Sequence, residues 1–267
     1  MIKSPLRYPG GKSKAIAQIL PLLPGNITEF REPFVGGGSV FLAVTQQLSP
    51  PPRLCWINDL SRDLVCFWKT ARDQNAALVE KVFWLRSSFL TGRELYEYLL
   101  DEQNSATDFD RAVRFFIMNR ITFSGVMDSG GYSQQAYEKR FTESAIARLA
   151  RLPSALSGVQ ITQGDYEDLL QKAGEDVFIF LDPPYLSATR SKLYGVKGNL
   201  HTAFDHARFA KAMEQCPHRW LITYDDSPEV RQLFQFATIV EWELQYGMNN
   251  YKQAIAAKGK ELFIKNF

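Results

Sequence analysis

Glu29-Phe30-Arg31-Glu32-Pro33-Phe34-Val35-Gly36-Gly37-Gly38-Ser39-Val40-Phe41-Leu42-Ala43-Val44-Thr45-Gln46-Gln47-Leu48 decides the fold. Glu29 to Val35 reads as a strand that feeds the glycine-rich turn Gly36-Gly37-Gly38-Ser39. A helix follows from Val40 to Leu48, and Ser49-Pro50-Pro51-Pro52 stops it because proline cannot continue a helix. Glycine lets the backbone turn tightly and come close to a ligand. The turn resembles a nucleotide-binding one without being GxGxxG: Gly36 and Gly38 fit, and position 41 is Phe. A plain strand-to-helix turn is the alternative.

Working outward, Leu54 to Ile57 is a second strand ending in Asn58-Asp59. From Ser61 to Leu156 helical periodicity dominates, broken by the Gly- and Ser-rich piece Thr122 to Gln135. Val159 to Thr162 is a further strand. Val177-Phe178-Ile179-Phe180-Leu181 is an apolar run whose length and content suit a strand buried on both faces. Trp220 to Tyr224 is another, followed by Asp225-Asp226-Ser227-Pro228, which can cap a helix. Ile239 to Tyr246 and Glu261 to Lys265 form a closing antiparallel pair. The assembly expected is α/β: an open, mostly parallel sheet with helices on both faces, comprising residues 1–60 and 156–267, and a helical insert at 61–155. Ligands of such sheets bind at the carboxyl ends of the strands. Phe34 to Ser39, Asn58-Asp59, Gly164-Asp165 and Asp182 to Tyr185 all fall there.

Composition narrows the class. Hydrophobic residues at 45% and charged residues at 22% describe a globular chain rather than a disordered one. The net charge of +2 shows no basic nucleic-acid stripe. The insert carries 13 Lys/Arg against 12 Asp/Glu, so charge does not locate a binding face on it. Three separated cysteines (Cys55, Cys66, Cys216) and three histidines give neither a disulfide framework nor metal-ligand spacing, so no metal is expected. The first residues lack the apolar run of a secretory signal, and no stretch approaches the ~18 apolar residues of a membrane span. A cytoplasmic monomer with no membrane partner is expected.

Asp182-Pro183-Pro184-Tyr185 is the sharpest signal. Two prolines after a buried strand make a stiff loop with fixed φ and no donor N–H. The Asp182 carboxylate and the Pro183 carbonyl become a pair of acceptors beside an aromatic plane. A planar NH₂ group offers two hydrogens to such a pair, and its ring offers a face to stack. Asp59, about twenty residues beyond the glycines, stands where an acidic side chain accepts from ribose hydroxyls; a helix N-cap is the alternative. Pro9-Gly10-Gly11-Lys12-Ser13 is not a phosphate loop, since Leu6 stands where the first glycine belongs. It remains either a lysine-bearing turn near a carboxylate or a bland N-terminal turn.

Pro9-Gly10-Gly11-Lys12, Glu32 to Ser39 and Asp182 to Tyr185, in that order and spacing, resemble the Dam-type (alpha-class) DNA adenine-N6 methyltransferases over nearly the whole chain. The resemblance implies a Rossmann-like S-adenosylmethionine-dependent sheet with a helical DNA target-recognition insert, double-stranded DNA as partner and S-adenosylhomocysteine as product. It implies that Tyr8, Gly10, Lys12, Phe34, Gly36, Gly38, Asp59 and Asp182 line the cofactor site, and that Asp165 stands near the cofactor's adenine. Asn119-Arg120-Ile121-Thr122-Phe123-Ser124-Gly125 resembles the segment that enters DNA, with Asn119, Arg120, Phe123, Ser124 and Asp128 as the expected DNA contacts. GATC-specific members carry a basic residue three positions past the glycine. Asp128 stands there in this chain, and aspartate cannot read guanine as arginine does, so GATC is not carried over.

The implied chemistry is direct methyl transfer to an adenine turned out of the stack, stacked on Tyr185 and held by Asp182 and Pro183. RNA adenine, DNA cytosine-N4 or a protein amide nitrogen would suit the same loop. A catalytically silent DNA-binding regulator is a rival of another class, and a dinucleotide oxidoreductase leaves Asp182 to Tyr185 without a task.

Overall fold

The computed structural model describes residues 2–8, 10–125, 131–186, 204–244 and 259–267. In chain order come α1 (Ile16–Ile19), β1 (Glu29–Glu32), α2 (Ser39–Gln47) and β2 (Leu54–Asp59). Then follow α3 (Arg62–Asp73), α4 (Asn75–Ser88), α5 (Gly92–Leu100), α6 (Asp108–Ile121), α7 (Gln134–Arg140), α8 (Glu143–Leu149) and α9 (Pro153–Leu156). The chain returns through β3 (Gln160–Gln163), α10 (Glu167–Gln171), β4 (Val177–Leu181), α11 (His206–Glu214), β5 (Arg219–Asp225), α12 (Pro228–Leu233), β6 (Thr238–Leu244) and β7 (Gly259–Lys265).

The strands form one sheet in the order β3-β2-β1-β4-β5-β7-β6. β1 to β5 are parallel, and β7 runs antiparallel to both β5 and β6. The order reverses between β1 and β4, where connections leave in opposite directions and open a crevice at the carboxyl edge. β4 is buried at every position, as its apolar run requires. Phe178 and Phe180 point to one face, and Val177, Ile179 and Leu181 to the other. β1 stops at Glu32, short of the expected Val35, because Pro33 has no N–H to give the ladder.

One face packs against α11 and α12. On the other, Phe30, Phe178, Phe180 and Phe263 join a continuous apolar core with Trp68, Phe116, Leu78 and Leu149 of the helices between β2 and β3. The helical segment therefore shares a core with the sheet rather than enclosing one of its own. Ser227 accepts from the Val230 N–H with Pro228 in the first turn, which caps α12 as its sequence anticipates. Tyr246, at the end of the expected last hairpin, lies outside the described residues. Among the described residues no helix is long and apolar enough to cross a membrane.

Candidate active site

The four loops singled out by sequence meet at the carboxyl edge of β3, β2, β1 and β4. Buried Asn58, at the end of β2, ties two of them together: its Nδ2 donates to the Pro33 carbonyl at 3.2 Å and the Gly164 carbonyl at 2.9 Å. The glycine turn is left-handed at Gly36 (φ 44°) and Gly38 (φ 68°). A Cβ on Gly36 would come within 2.8 Å of the Tyr8 ring, and one on Gly38 within 2.7 Å of Trp68. The close approach that glycine permits here is to the protein's own aromatic side chains. Tyr8 lies against the turn and fixes the N-terminal segment over the sheet edge.

That segment delivers Lys12, whose ammonium is buried. It donates to the Gly10 carbonyl at 2.9 Å and stands 2.8 Å from Asp182 Oδ1 and 2.9 Å from Oδ2. Thr223 of β5 donates its hydroxyl to Asp182 Oδ1 at 2.8 Å. The carboxylate is thus held from two sides rather than standing free, as the loop alone suggested. One acceptor direction on Oδ2 remains for a further donor. Lys12 also lies 4.9 Å from the centroid of the Tyr185 ring. Tyr185 stacks on Tyr224 (centroids 5.8 Å apart, planes at 25°), and its hydroxyl donates to Glu261 of β7 at 2.9 Å. Burial, then the charges of Asp182 and Glu261, hold the Tyr185 hydroxyl protonated well beyond its usual range.

Asp59 closes the next position along the edge. Its Oδ2 accepts from Gly36 N and its Oδ1 from Ser61 N, both at 3.0 Å. Burial pushes its pKa up to about 6 against the lowering pull of these bonds. It turns the chain towards α3, whose N-cap is Ser61 rather than Asp59, and it faces the glycine turn. Phe34 packs on Tyr166, Phe204 and Phe209 at 5.4 to 5.9 Å. Asp165 stands beside this aromatic wall, paired with Arg208 of α11 at 3.1 Å. The Tyr166 hydroxyl is buried without a partner among the described residues.

In the helical segment, the structure gives Asn119 a different task from the DNA contact expected. It is buried, and its amide accepts from Arg7 N at 2.9 Å and donates to the Arg7 and Gly125 carbonyls at 2.8 and 3.3 Å. Gly125 is left-handed (φ 77°), and a Cβ there would meet the Arg7 carbonyl at 2.7 Å. The Asn119 amide therefore welds the N-terminal segment to the turn after α6. Arg120 is buried with its Nε unpartnered among the described residues, and Arg7 Nη1 is also buried and unpartnered among them. Burial, then the neighbouring charges of Arg148, Arg7 and Arg140, bring the Arg120 pKa down to about 9. Phe123 is 68% exposed at the turn Phe123–Gly125, which also contains Ser124. Asp128 lies outside the described residues. Sequence reasoning missed Thr223, Tyr224, Glu261 and Arg7. The available signal was Glu261, the one charge in the buried run Glu261-Leu262-Phe263-Ile264 of β7.

The chain is similar to several known methyltransferases. M.MjaIII, a type II methyltransferase of Methanocaldococcus jannaschii, is 28% identical over 205 residues, 69% of each chain. The type II methyltransferase M1.LlaDCHI of Lactococcus lactis subsp. cremoris is 23% identical over 98% of this chain and 94% of its own. A DNA adenine methylase of Vibrio cholerae is 26% identical over 88% and 85%. The sequence pattern of one family matches residues 8–248, and the chain belongs to it: the D12 class N6 adenine-specific DNA methyltransferases.

Proposed function

We propose that Asp182, Pro183, Pro184 and Tyr185 hold the target adenine of this adenine-specific DNA methyltransferase, turned out of duplex DNA, for transfer at its N6. The observation that carries this is the pairing of a partly satisfied carboxylate with an aromatic ring at the switch point between β1 and β4. Asp182 Oδ2 and the Pro183 carbonyl accept the two amine hydrogens, which aims the nitrogen lone pair. Tyr185 supplies the stacking face that offsets part of the few kcal/mol spent on unstacking. Lys12 and Thr223 hold the carboxylate in orientation, so the chain contributes position and field rather than a covalent intermediate.

The methyl donor that the family implies fits the neighbouring pocket. Asp59 retains acceptor capacity on both oxygens, which ribose hydroxyls would fill at a carboxylate already strained by burial. The aromatic wall of Phe34 and Tyr166, with Asp165 beside it, suits an adenine ring. Tyr8, Gly10, Lys12, Gly36 and Gly38 shape the floor between the two. S-adenosylmethionine, when bound, supplies the electrophilic methyl group.

We assign residues 61–155 to target recognition and residues 1–60 and 156–267 to catalysis. The support is two buried guanidinium nitrogens without a partner among the described residues, Arg7 Nη1 and Arg120 Nε, and the exposed ring of Phe123 at the turn after α6. Phosphate oxygens satisfy such donors, and an exposed ring at a turn can enter a base stack. Asn119 acts behind this surface, as the brace of Arg7. Asp182→Ala tests the assignment: tritiated-methyl transfer to duplex DNA is lost while equilibrium binding of S-adenosylmethionine persists. Near-normal turnover would remove Asp182 from the reaction.

A further inference from the structure

We propose that Glu261 is a positioning residue for methyl transfer: its carboxylate holds the Tyr185 hydroxyl and thereby fixes the ring on which the target base stacks. The proposal rests on the reading of Tyr185 as the stacking platform.

Glu261 is 2% exposed and lies at an inward position of β7, opposite Trp242 in the register with β6 and opposite Asp225 in the register with β5. The next residue on that face, Phe263, stacks on Trp242 with centroids 4.3 Å apart and planes at 7°. An apolar side chain at position 261 would extend this packing. A carboxylate there costs free energy unless it is paired, and among the described residues it has one hydrogen-bond partner. Oε2 accepts from Tyr185, and Oε1 is buried with no partner among the described residues. The fold does not need this charge, and the reactive loop is what it touches.

The charged and titratable groups facing it come from every neighbouring element. Lys12 reaches in from the N-terminal segment and favours the carboxylate, as does the Tyr185 hydroxyl. Asp182 after β4 and Asp225 of β5 oppose it. Burial outweighs these and pushes the Glu261 pKa up to about 7.

Tyr185 is then fixed at three points. Its hydroxyl is bonded to Glu261, and its ring lies on Tyr224. The Tyr224 hydroxyl is itself paired with His206 Nδ1. The backbone just past the ring is tied by Leu186 N to Asp225 Oδ1 at 3.0 Å. Without the hydroxyl bond, the ring keeps its stacking partner and loses the contact that sets its tilt. A base stacked on a tilted ring carries its amine away from the line of transfer, where misplacement by about 1 Å costs rate steeply.

Four variants test the proposal by steady-state methylation of a duplex and equilibrium binding of S-adenosylmethionine. Glu261→Leu and Tyr185→Phe each lower kcat by about thirtyfold, with cofactor affinity within about twofold of the parent. Glu261→Gln, which keeps an acceptor, recovers most of that loss. The double variant Tyr185→Phe/Glu261→Leu is no slower than the slower single, because both changes break one bond. A purely structural Glu261 would instead give additive losses and weakened cofactor binding. Should Glu261→Leu fail to fold, Tyr185→Phe with and without Glu261→Gln carries the same comparison. Near-parental kcat in Tyr185→Phe, or additive losses, overturns the proposal. Tyr185→Ala separates the two levels. If it is inactive while Tyr185→Phe is not, the positioning role alone is wrong; if it is active, the stacking platform itself is.

Discussion

Lys12 and Asp182, 170 residues apart in sequence, meet at 2.8 Å, and that ion pair joins the N-terminal turn to the end of the central strand. The lysine is almost fully buried and the aspartate is about four-fifths buried. Removing one member of such a pair leaves the other uncompensated, at a cost of roughly 3–5 kcal/mol in well-buried cases. Lys12→Met should therefore lower the unfolding free energy by about 3 kcal/mol in urea titrations and abolish transfer. The stranded Asp182 would also lose the donor that orients it towards the amine.

Arg120 should behave in the opposite sense. Its guanidinium is buried beside other arginines, with Nε unpartnered among the described residues, so the folded protein bears a cost that a phosphate would relieve if Arg120 contacts DNA as proposed. Arg120→Met should leave stability unchanged or raise it by up to roughly 2 kcal/mol. DNA affinity should fall, and the slope of log K against log salt should shrink by about 1. Fluorescence anisotropy over a salt series reads both the affinity and the slope.

Phe123 is exposed and packs on little, so Phe123→Ala should change stability by less than about 0.5 kcal/mol. If the ring enters the base stack, the same change should weaken duplex binding by about 1–3 kcal/mol. Thermal melts and titrations with a duplex oligonucleotide separate the two effects.

Glu261 also makes stability depend on pH in a particular direction. Its pKa is near 7 in the folded protein and near the ordinary 4.5 in the unfolded chain. Between those values the native state holds a proton that the unfolded state has lost, so stability falls as pH rises across the window. Full protonation below about 4.5 gives the largest contribution, and above about 7 it is gone. Asp59, at about 6, acts in the same sense. The Glu261 share is of order 3 kcal/mol. Denaturation at pH 5, 6 and 7 should show the decline in the parent and a shallower one in Glu261→Gln.

The sheet was legible because its signals are local. The apolar run of β4 can be buried only on both faces, and Pro228 after Ser227 can only open a helix. The strand–glycine–helix passage through Glu29 to Gln47 identifies the first crossover. What sequence hid is what the topology brings together. Nothing near Thr223 or Glu261 tells that β5 lies beside β4 and β7 beside β5, an order that aims both side chains at the Asp182–Tyr185 loop. Asn119 is a related case: the resemblance placed it at DNA, while its amide is engaged by the backbone of Arg7, 112 residues away. The glycines Gly36 and Gly38 were right in position, yet the atoms they admit belong to Tyr8, Phe41 and Trp68.

The most direct test of the account is the modified-nucleoside content of DNA from cells expressing the parent or Asp182→Ala, measured by mass spectrometry. The parent should add N6-methyldeoxyadenosine and no N4-methyldeoxycytidine. The variant should add neither, while its purified form still binds S-adenosylmethionine. N6-methyldeoxyadenosine at parental levels in Asp182→Ala, or N4-methyldeoxycytidine in the parent, would contradict it.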